Sequence, residues 1–352
     1  MSAIIVFSGL ILVGCGSKSS SSDTTRADGS MLISEDDGQT FTLYAQYGEG
    51  KTFADAQVLS FRQSAADPQR LYVGTQSEGI FVSDDRGVTW RHISFPPQKV
   101  YGLAVSATDA QTFYASGVLN KTARVYKTTD GGEHWDVVYT EPVQKTVITA
   151  LAGDPTQADT VYIGVSSGVI LRSRDGGATW SRLHRARGAV TSIAFDATDA
   201  NTVYFGVFKR GLLKTRDGGE TIEDFTRKLS GANSDERRDS VVYTVVTDPR
   251  TAGSVYVGTM KGVYRSMDYG NTWETLPIIG MDARKIPVRA IAISPHTPSQ
   301  IVYTIGRTLY RSGSNFSEWT PVQFSAERSA SVVWYDQEIP GRLYITTRKI
   351  KK

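Results

Sequence analysis

Ser83-Asp84-Asp85-Arg86-Gly87-Val88-Thr89-Trp90 is one copy of a phrase that returns at 128–135, 173–180, 215–222 and 266–273, with a variant at 34–41 and a worn copy at 312–319. Successive copies begin 42 to 51 residues apart. Units of strand and turn at this period cannot close a hydrophobic core singly, so neighbours must stack. The pattern predicts an all-β chain folded as a β-propeller.

Each unit can be read by aligning its neighbours. Upstream of each phrase lies an aromatic strand, as in Leu71-Tyr72-Val73-Gly74, Phe113-Tyr114, Val161-Tyr162-Ile163-Gly164, Val203-Tyr204-Phe205-Gly206, Val255-Tyr256-Val257-Gly258, Val302-Tyr303 and Leu343-Tyr344-Ile345. A more apolar strand precedes it, for example at 147–152, 190–195 and 288–293, ending in a turn such as Asp154-Pro155 or Asp248-Pro249. Each unit is therefore a four-stranded antiparallel meander, A to D. The C-terminus supplies strands A and B at 331–335 and 343–347, while the N-terminus supplies a C strand, the phrase and a D strand within 30–44. Joined, these halves make one blade, which gives seven blades and leaves no sheet edge open.

The phrase has a structural explanation of its own. Short polar side chains such as Ser173 and Asp175 bond to the backbone of a tight turn, and Gly177 or Gly270 supplies a φ that other residues resist. Trp180 and Trp273 are expected to bury their rings against the next unit. Asp36, Asp85, Asp130, Asp175, Asp217 and Asp268 are accordingly read as structural, each hydrogen bond contributing about 1 kcal/mol net. The wording resembles the Asp-box, S/T-x-D-x-G-x-T-W, of sialidase-like, sortilin-like and photosystem II assembly-factor propellers.

The first thirty residues differ in kind. An apolar run at 3–13 leads into Leu12-Val13-Gly14-Cys15, which resembles the lipobox of bacterial lipoproteins, and Cys15 is the only cysteine. No Lys or Arg precedes the run, a departure from the usual basic start. The expected organisation is a signal peptide at 1–15 with lipidation at Cys15, a Ser-rich tether at 16–29 of about 20 Å reach, the propeller at 30–348 and a basic tail at 349–352. That places the protein outside the cytoplasm, anchored by lipid to a bacterial membrane.

A net charge of +3 is too small to imply nucleic acid. In a meander, the B-to-C and D-to-A connections share one face and the A-to-B and C-to-D turns the other. The second face holds the repeated phrases and is expected to be acidic, the first basic. On the basic face, long connections at 227–240 and 278–287 would rise beside the B-to-C turns. Lys209, Arg210, Arg237, Arg238, Lys261, Arg284, Lys285 and Arg307 then form a candidate docking crescent for an acidic protein surface or a membrane-protein subunit. A glycan is a further possible partner, and the propeller is expected to be monomeric.

Catalytic signals are weak by comparison. Sialidases use three arginines and a carboxylate acid; here the A strands offer Arg62 and Arg289 but no Asp or Glu, whereas glycoside hydrolysis needs a facing carboxylate pair. Gly164-Val165-Ser166-Ser167-Gly168 falls on a strand-to-strand turn, not the strand-to-helix elbow that its pattern requires. The four histidines lie in different units with no zinc spacing, and no cofactor is implied. A lipidated seven-bladed propeller with a basic face is most similar to the photosystem II stability and assembly factor family. That resemblance implies a non-catalytic binding or assembly module, the alternative being a sialidase-like glycoside hydrolase.

Overall fold

Seven four-stranded antiparallel sheets stand around one axis in the computed structural model of the chain, which describes residues 29–230, 241–277, 287–313, 316, 318–325 and 327–349. The first blade runs outward through Val58–Gln63, Leu71–Thr75, Ile80–Ser83 and Arg91–Ile93. Five more repeat that order, with innermost strands Val100–Val105, Ile148–Gly153, Val190–Phe195, Val242–Thr247 and Ala290–Ile293. The seventh combines both ends of the chain: Arg328–Tyr335 and Leu343–Lys349 lie inside, Met31–Ser34 and Thr42–Leu43 outside. Met31 pairs with Thr346 and Ser34 with Leu343. The predicted seven blades and shared closing blade are what the chain builds.

The second strand of each blade is largely buried on both faces, and in six of the seven it carries a tyrosine at one aligned position. Tyr72, Tyr114, Tyr162, Tyr204 and Tyr344 are among the largest fully buried side chains, and Tyr256 joins them at 2% exposure; in the sixth blade Val302 takes that position and the buried Tyr303 stands one residue further on. Burying a large ring at each blade contact contributes on the order of 2–3 kcal/mol apiece. Across the sheet, Tyr114 faces Lys127, Tyr162 faces Arg172, Tyr204 faces Lys214 and Tyr256 faces Arg265. These cations then reach the following blade: Arg172 donates to the Gly218 carbonyl, and Lys214 Nζ donates to Tyr269 O at 2.7 Å.

Stacking also has a direction. A Cβ on Gly177 would lie 2.7 Å from Val138 Cβ, and one on Gly219 2.4 Å from Leu183 Cδ1, so each of these turns presses on the outer strand of the blade before it. The tryptophans obey the same rule, contrary to the expected contact with the next unit. Trp180 packs on Tyr139, with ring centroids 5.4 Å apart, and donates to Val138 O at 2.8 Å, both in the preceding blade. Trp180 and Trp273 are half-buried, because an outer strand has a neighbour on one side only.

Two small elements go beyond the repeat. A ribbon of Gln46–Tyr47 and Lys51–Thr52 bridges Tyr47 to Trp90, while Phe53 stacks on Phe81 at 4.3 Å, covering the outer part of the first blade. A helical turn, Thr226–Ser230, opens the connection out of the fourth blade.

The innermost strands share an unpredicted device. In six of the seven, pairing slips by one residue at the same place, leaving Leu59, Tyr101, Thr149, Thr191, Tyr243 and Ser331 unpaired near the start of the strand. Such bulges bend a strand and re-aim side chains. Thr149 turns its hydroxyl to Val190 O at 2.5 Å and Thr191 to Val242 O at 3.1 Å, tying each bulge to the next blade.

Candidate functional site

The turn at 173–177 shows what the repeated phrase does. Ser173 Oγ accepts from the Gly177 N–H at 2.8 Å and donates to Asp175 Oδ1 at 2.8 Å. Asp175 in turn accepts the Thr179 N–H at 2.8 Å and the Thr179 hydroxyl at 2.5 Å. Those bonds, the Thr179 hydroxyl foremost, pull the Asp175 carboxyl down to about 2. Asp36, Asp85, Asp217 and Asp268 are held in the same way by Thr40, Thr89, Thr221 and Thr272. In the second blade His134 takes the threonine's place, with Nδ1 2.6 Å from Asp130 Oδ2. Asp130, Glu133 and His134 thereby bring ligand-type atoms within 4.8 Å of one another. Asp130 already accepts from Thr128, His134 and the Glu133 and His134 N–H groups, so its lone pairs serve the turn.

The face that carries these turns is not simply acidic, as the sequence suggested. Arginines rise among its carboxylates and pair with them: Arg70 with Asp84, Arg86 with Asp336 and Glu338, Arg172 and Arg174 with Glu220, Arg250 with Asp248, and Arg342 with Glu35. Cations occur on both rims, and the two rims differ in pairing.

On the opposite face, Lys209, Arg210, Lys261 and Arg307 are exposed on the B-to-C turns. Lys209 sits at φ 57° with its ammonium 5.6 Å from the Phe208 ring centre. Among the described residues, Lys209, Arg210 and Lys261 form no ion pair, whereas Lys349 on the same face pairs with Asp55 at 2.9 Å. Arg237, Arg238, Arg284 and Lys285, the other half of the predicted crescent, lie outside the described residues, as does Cys15.

Two further residues belong to this face and were missing from the predicted crescent. Arg289, exposed, stands just before the innermost strand of the sixth blade, where the other blades bulge, with its guanidinium 4.4 Å above the Tyr243 ring. Tyr243 lies edge-on to Phe208 at 6.1 Å. Arg348, half-buried, is the next-to-last residue of the second strand of the closing blade, opposite Ser329. Aligning the second residue of each A strand is the signal that singles out Arg289.

Arg62 and Arg289 do not converge as a pair of substrate-binding arginines would. Arg62 is the fifth residue of its strand, toward the face with the repeated turns, and donates to Phe61 O at 2.7 Å and Leu151 O at 3.1 Å, two blades away. Burial pushes its guanidinium down to about 10. Small residues, Ala104 and Ala152, hold the matching positions of blades two and three, which leaves room for that reach.

Against this geometry the comparisons with known proteins fall into place. The family described as Sortilin-Vps10 (sortilin, neurotensin receptor 3) matches residues 29–167. Over that stretch the chain resembles sortilins. A probable oligoxyloglucan-reducing end-specific xyloglucanase of Neosartorya fischeri is 29% identical over 121 residues, covering 32% of this chain and 15% of that protein. A xyloglucanase of Hypocrea jecorina is 29% identical over 262 residues, 69% of this chain and 29% of its own length. Among solved structures, the GH74 xyloglucanase of Xanthomonas campestris superposes with a TM-score of 0.69 at 16% identity, over 83% of this chain and 51% of that one. YCF48 from Cyanidioschyzon merolae gives 0.62 at 13% identity, over 83% and 95%. YCF48 bound to D1 peptide gives 0.61 at 13%, over 83% and 93%. The chain thus spans 15% and 29% of those curated relatives and about half of the GH74 structure, but nearly all of the YCF48 structures. At these identities the structural likeness establishes the propeller fold.

Proposed function

We propose that this propeller is a membrane-tethered binding module that docks an acidic polypeptide on the face of its B-to-C turns. The observation that carries the reading is the contrast in pairing. Arginines among the repeated turns are matched by carboxylates, whereas Lys209, Arg210 and Lys261 stand exposed without one among the described residues. Unmatched surface cations of one sign steer and select anionic partners. The structure of YCF48 bound to D1 peptide, a propeller of like size holding a polypeptide, supports the same class of role. Tethering rests on Cys15, with the leader before it removed and the Ser-rich stretch after it as the leash.

The test is charge reversal. Lys209→Glu, Arg210→Glu and Lys261→Glu together are expected to abolish salt-sensitive capture of a labelled acidic peptide, while Arg216→Glu on the other face leaves it intact. Undiminished capture by the triple variant refutes the reading. Lipidation is checked separately: metabolic labelling with an alkynyl fatty acid marks the wild type, and Cys15→Ala loses the mark.

A second reading, a glycoside hydrolase, is favoured by the similarity to xyloglucanases over as much as 69% of this chain. It requires a carboxylate pair about 5 to 9 Å apart, which must come from loops, since the seven A strands contain neither Asp nor Glu. Release of reducing ends from xyloglucan would establish it.

A further inference from the structure

Within the cationic face, one place differs from scattered surface lysines. Arg289 is held rather than free to wave: its guanidinium lies 4.4 Å above Tyr243, whose hydroxyl approaches Met260 Sδ at 3.7 Å and whose ring is braced by Phe208. The innermost strands of blades six and seven pack side by side, which sets Arg348, opposite Ser329, next to this platform. Burial, with the Arg289 charge behind it, lowers the Arg348 guanidinium. Among the described residues no carboxylate pairs with either arginine. Two guanidinium forks on neighbouring blades are complementary to a planar carboxylate, which can accept N–H bonds from both. Fixing Arg289 beforehand removes part of the ordering cost of binding.

We propose that Arg289 and Arg348 are the anchor of the docking face, clasping one carboxylate of the acidic polypeptide while Tyr243 and Phe208 support the neighbouring apolar part of its chain. The inference rests on the acidic-polypeptide reading and adds the place where that partner is gripped. Lys209 and Lys261, farther out on the turns, contribute long-range attraction.

Fluorescence anisotropy of labelled hexaglutamate against the full chain in low salt tests it, with hexaglutamine as the uncharged probe. Arg289→Ala and Arg348→Ala are each expected to weaken hexaglutamate binding about tenfold or more, with unchanged thermal melting because Arg289 is exposed and Arg348 half-buried. Arg289→Lys, which keeps the charge but loses the fork, should fall between the wild type and Arg289→Ala. If both alanine variants bind like the wild type while Lys209→Glu and Lys261→Glu bind poorly, the anchor is overturned and the docking face stands. If the wild type ignores hexaglutamate, both fall. Capture of anionic lipid vesicles through these two arginines, without hexaglutamate binding, also overturns the proposal in favour of a lipid surface.

Discussion

Arg86, in the first blade, places its guanidinium 3.1 Å from the carboxylate of Asp336 in the closing blade, 250 residues along the chain. Asp336 is fully buried and also receives Tyr344, Gln63 and the N–H groups of Glu338 and Ile339. Burial by itself would raise its carboxyl, but these bonds, with Tyr344 first, and the Arg86 charge hold it below the ordinary range. The pair fastens the ring beside the blade in which the two ends of the chain meet.

Arg86→Met removes one partner and leaves a buried carboxylate short of its cation, a change that costs about 3 kcal/mol. The expected result is a lower urea midpoint, with a smaller loss for Arg174→Met, whose partner Glu220 is exposed. Equal midpoints for wild type and Arg86→Met would show that the closing blade does not depend on this pair.

Gly177 tests the direction of stacking. Its φ of +97° disfavours any side chain, and a Cβ there meets Val138 Cβ at 2.7 Å. Gly177→Ala should therefore cost roughly 2 to 4 kcal/mol, measured by denaturant unfolding. Gly306, also at positive φ but with open space around it, should lose only the backbone part of that sum when replaced by Ala. Similar losses at both sites would remove the blade contact from the explanation.

The difference between these two glycines depends on blade packing, which the amino-acid sequence does not carry. The repeated turn was legible because Ser173, Asp175, Gly177 and Thr179 are residue types that such a turn requires wherever it occurs. The closing blade was legible because the two chain ends carried complementary halves of one unit. Stacking direction was not, since Trp180 looks the same whether it packs forward or backward. The bulge was hidden because Leu59, Tyr101, Thr149 and Ser331 share a place and no common chemistry. Pairing of Arg86 with Asp336 depends on ring closure, and no local pattern announces it. On the face of the B-to-C turns, the exposed lysines were foreseeable, whereas the Arg289 platform arises from the packing of blades five and six.

Acid should loosen the propeller through its repeated turns. Asp175 titrates near 2 in the folded chain, below its ordinary carboxylate value of 3.8, because Thr179 and Ser173 hydrogen-bond its charged form. In that interval the unfolded chain binds more protons than the folded one, so stability falls as pH drops from the ordinary carboxylate range toward 2. Urea midpoints measured from pH 5 to pH 2 should decline, and Asp175→Asn should show a lower plateau with a shallower decline. A decline identical to that of the wild type would exclude Asp175 as a contributor.

Lys214 predicts the opposite limb. Its side chain is buried between blades four and five, with Nζ donating to Tyr269 O at 2.7 Å and lying 3.9 Å from the centre of the Phe225 ring. Burial, reinforced by the Arg216 charge, pushes its ammonium down to about 8, against 10.5 for a free lysine. Between those values the unfolded chain holds a proton that the folded chain has released, so this residue makes stability rise with pH from about 8 to 10.5. Replacement by Met keeps the stem, removes the desolvated charge and leaves the Tyr269 carbonyl without this donor. These effects oppose each other, so near pH 7 Lys214→Met should remain close to wild type in stability. The distinguishing readout is the slope: difference melts between pH 8 and 10.5 should show the wild type gaining on Lys214→Met as pH rises. A constant gap across that range would mean that Lys214 stays charged in the fold and that Tyr269 and Phe225 compensate fully for its burial.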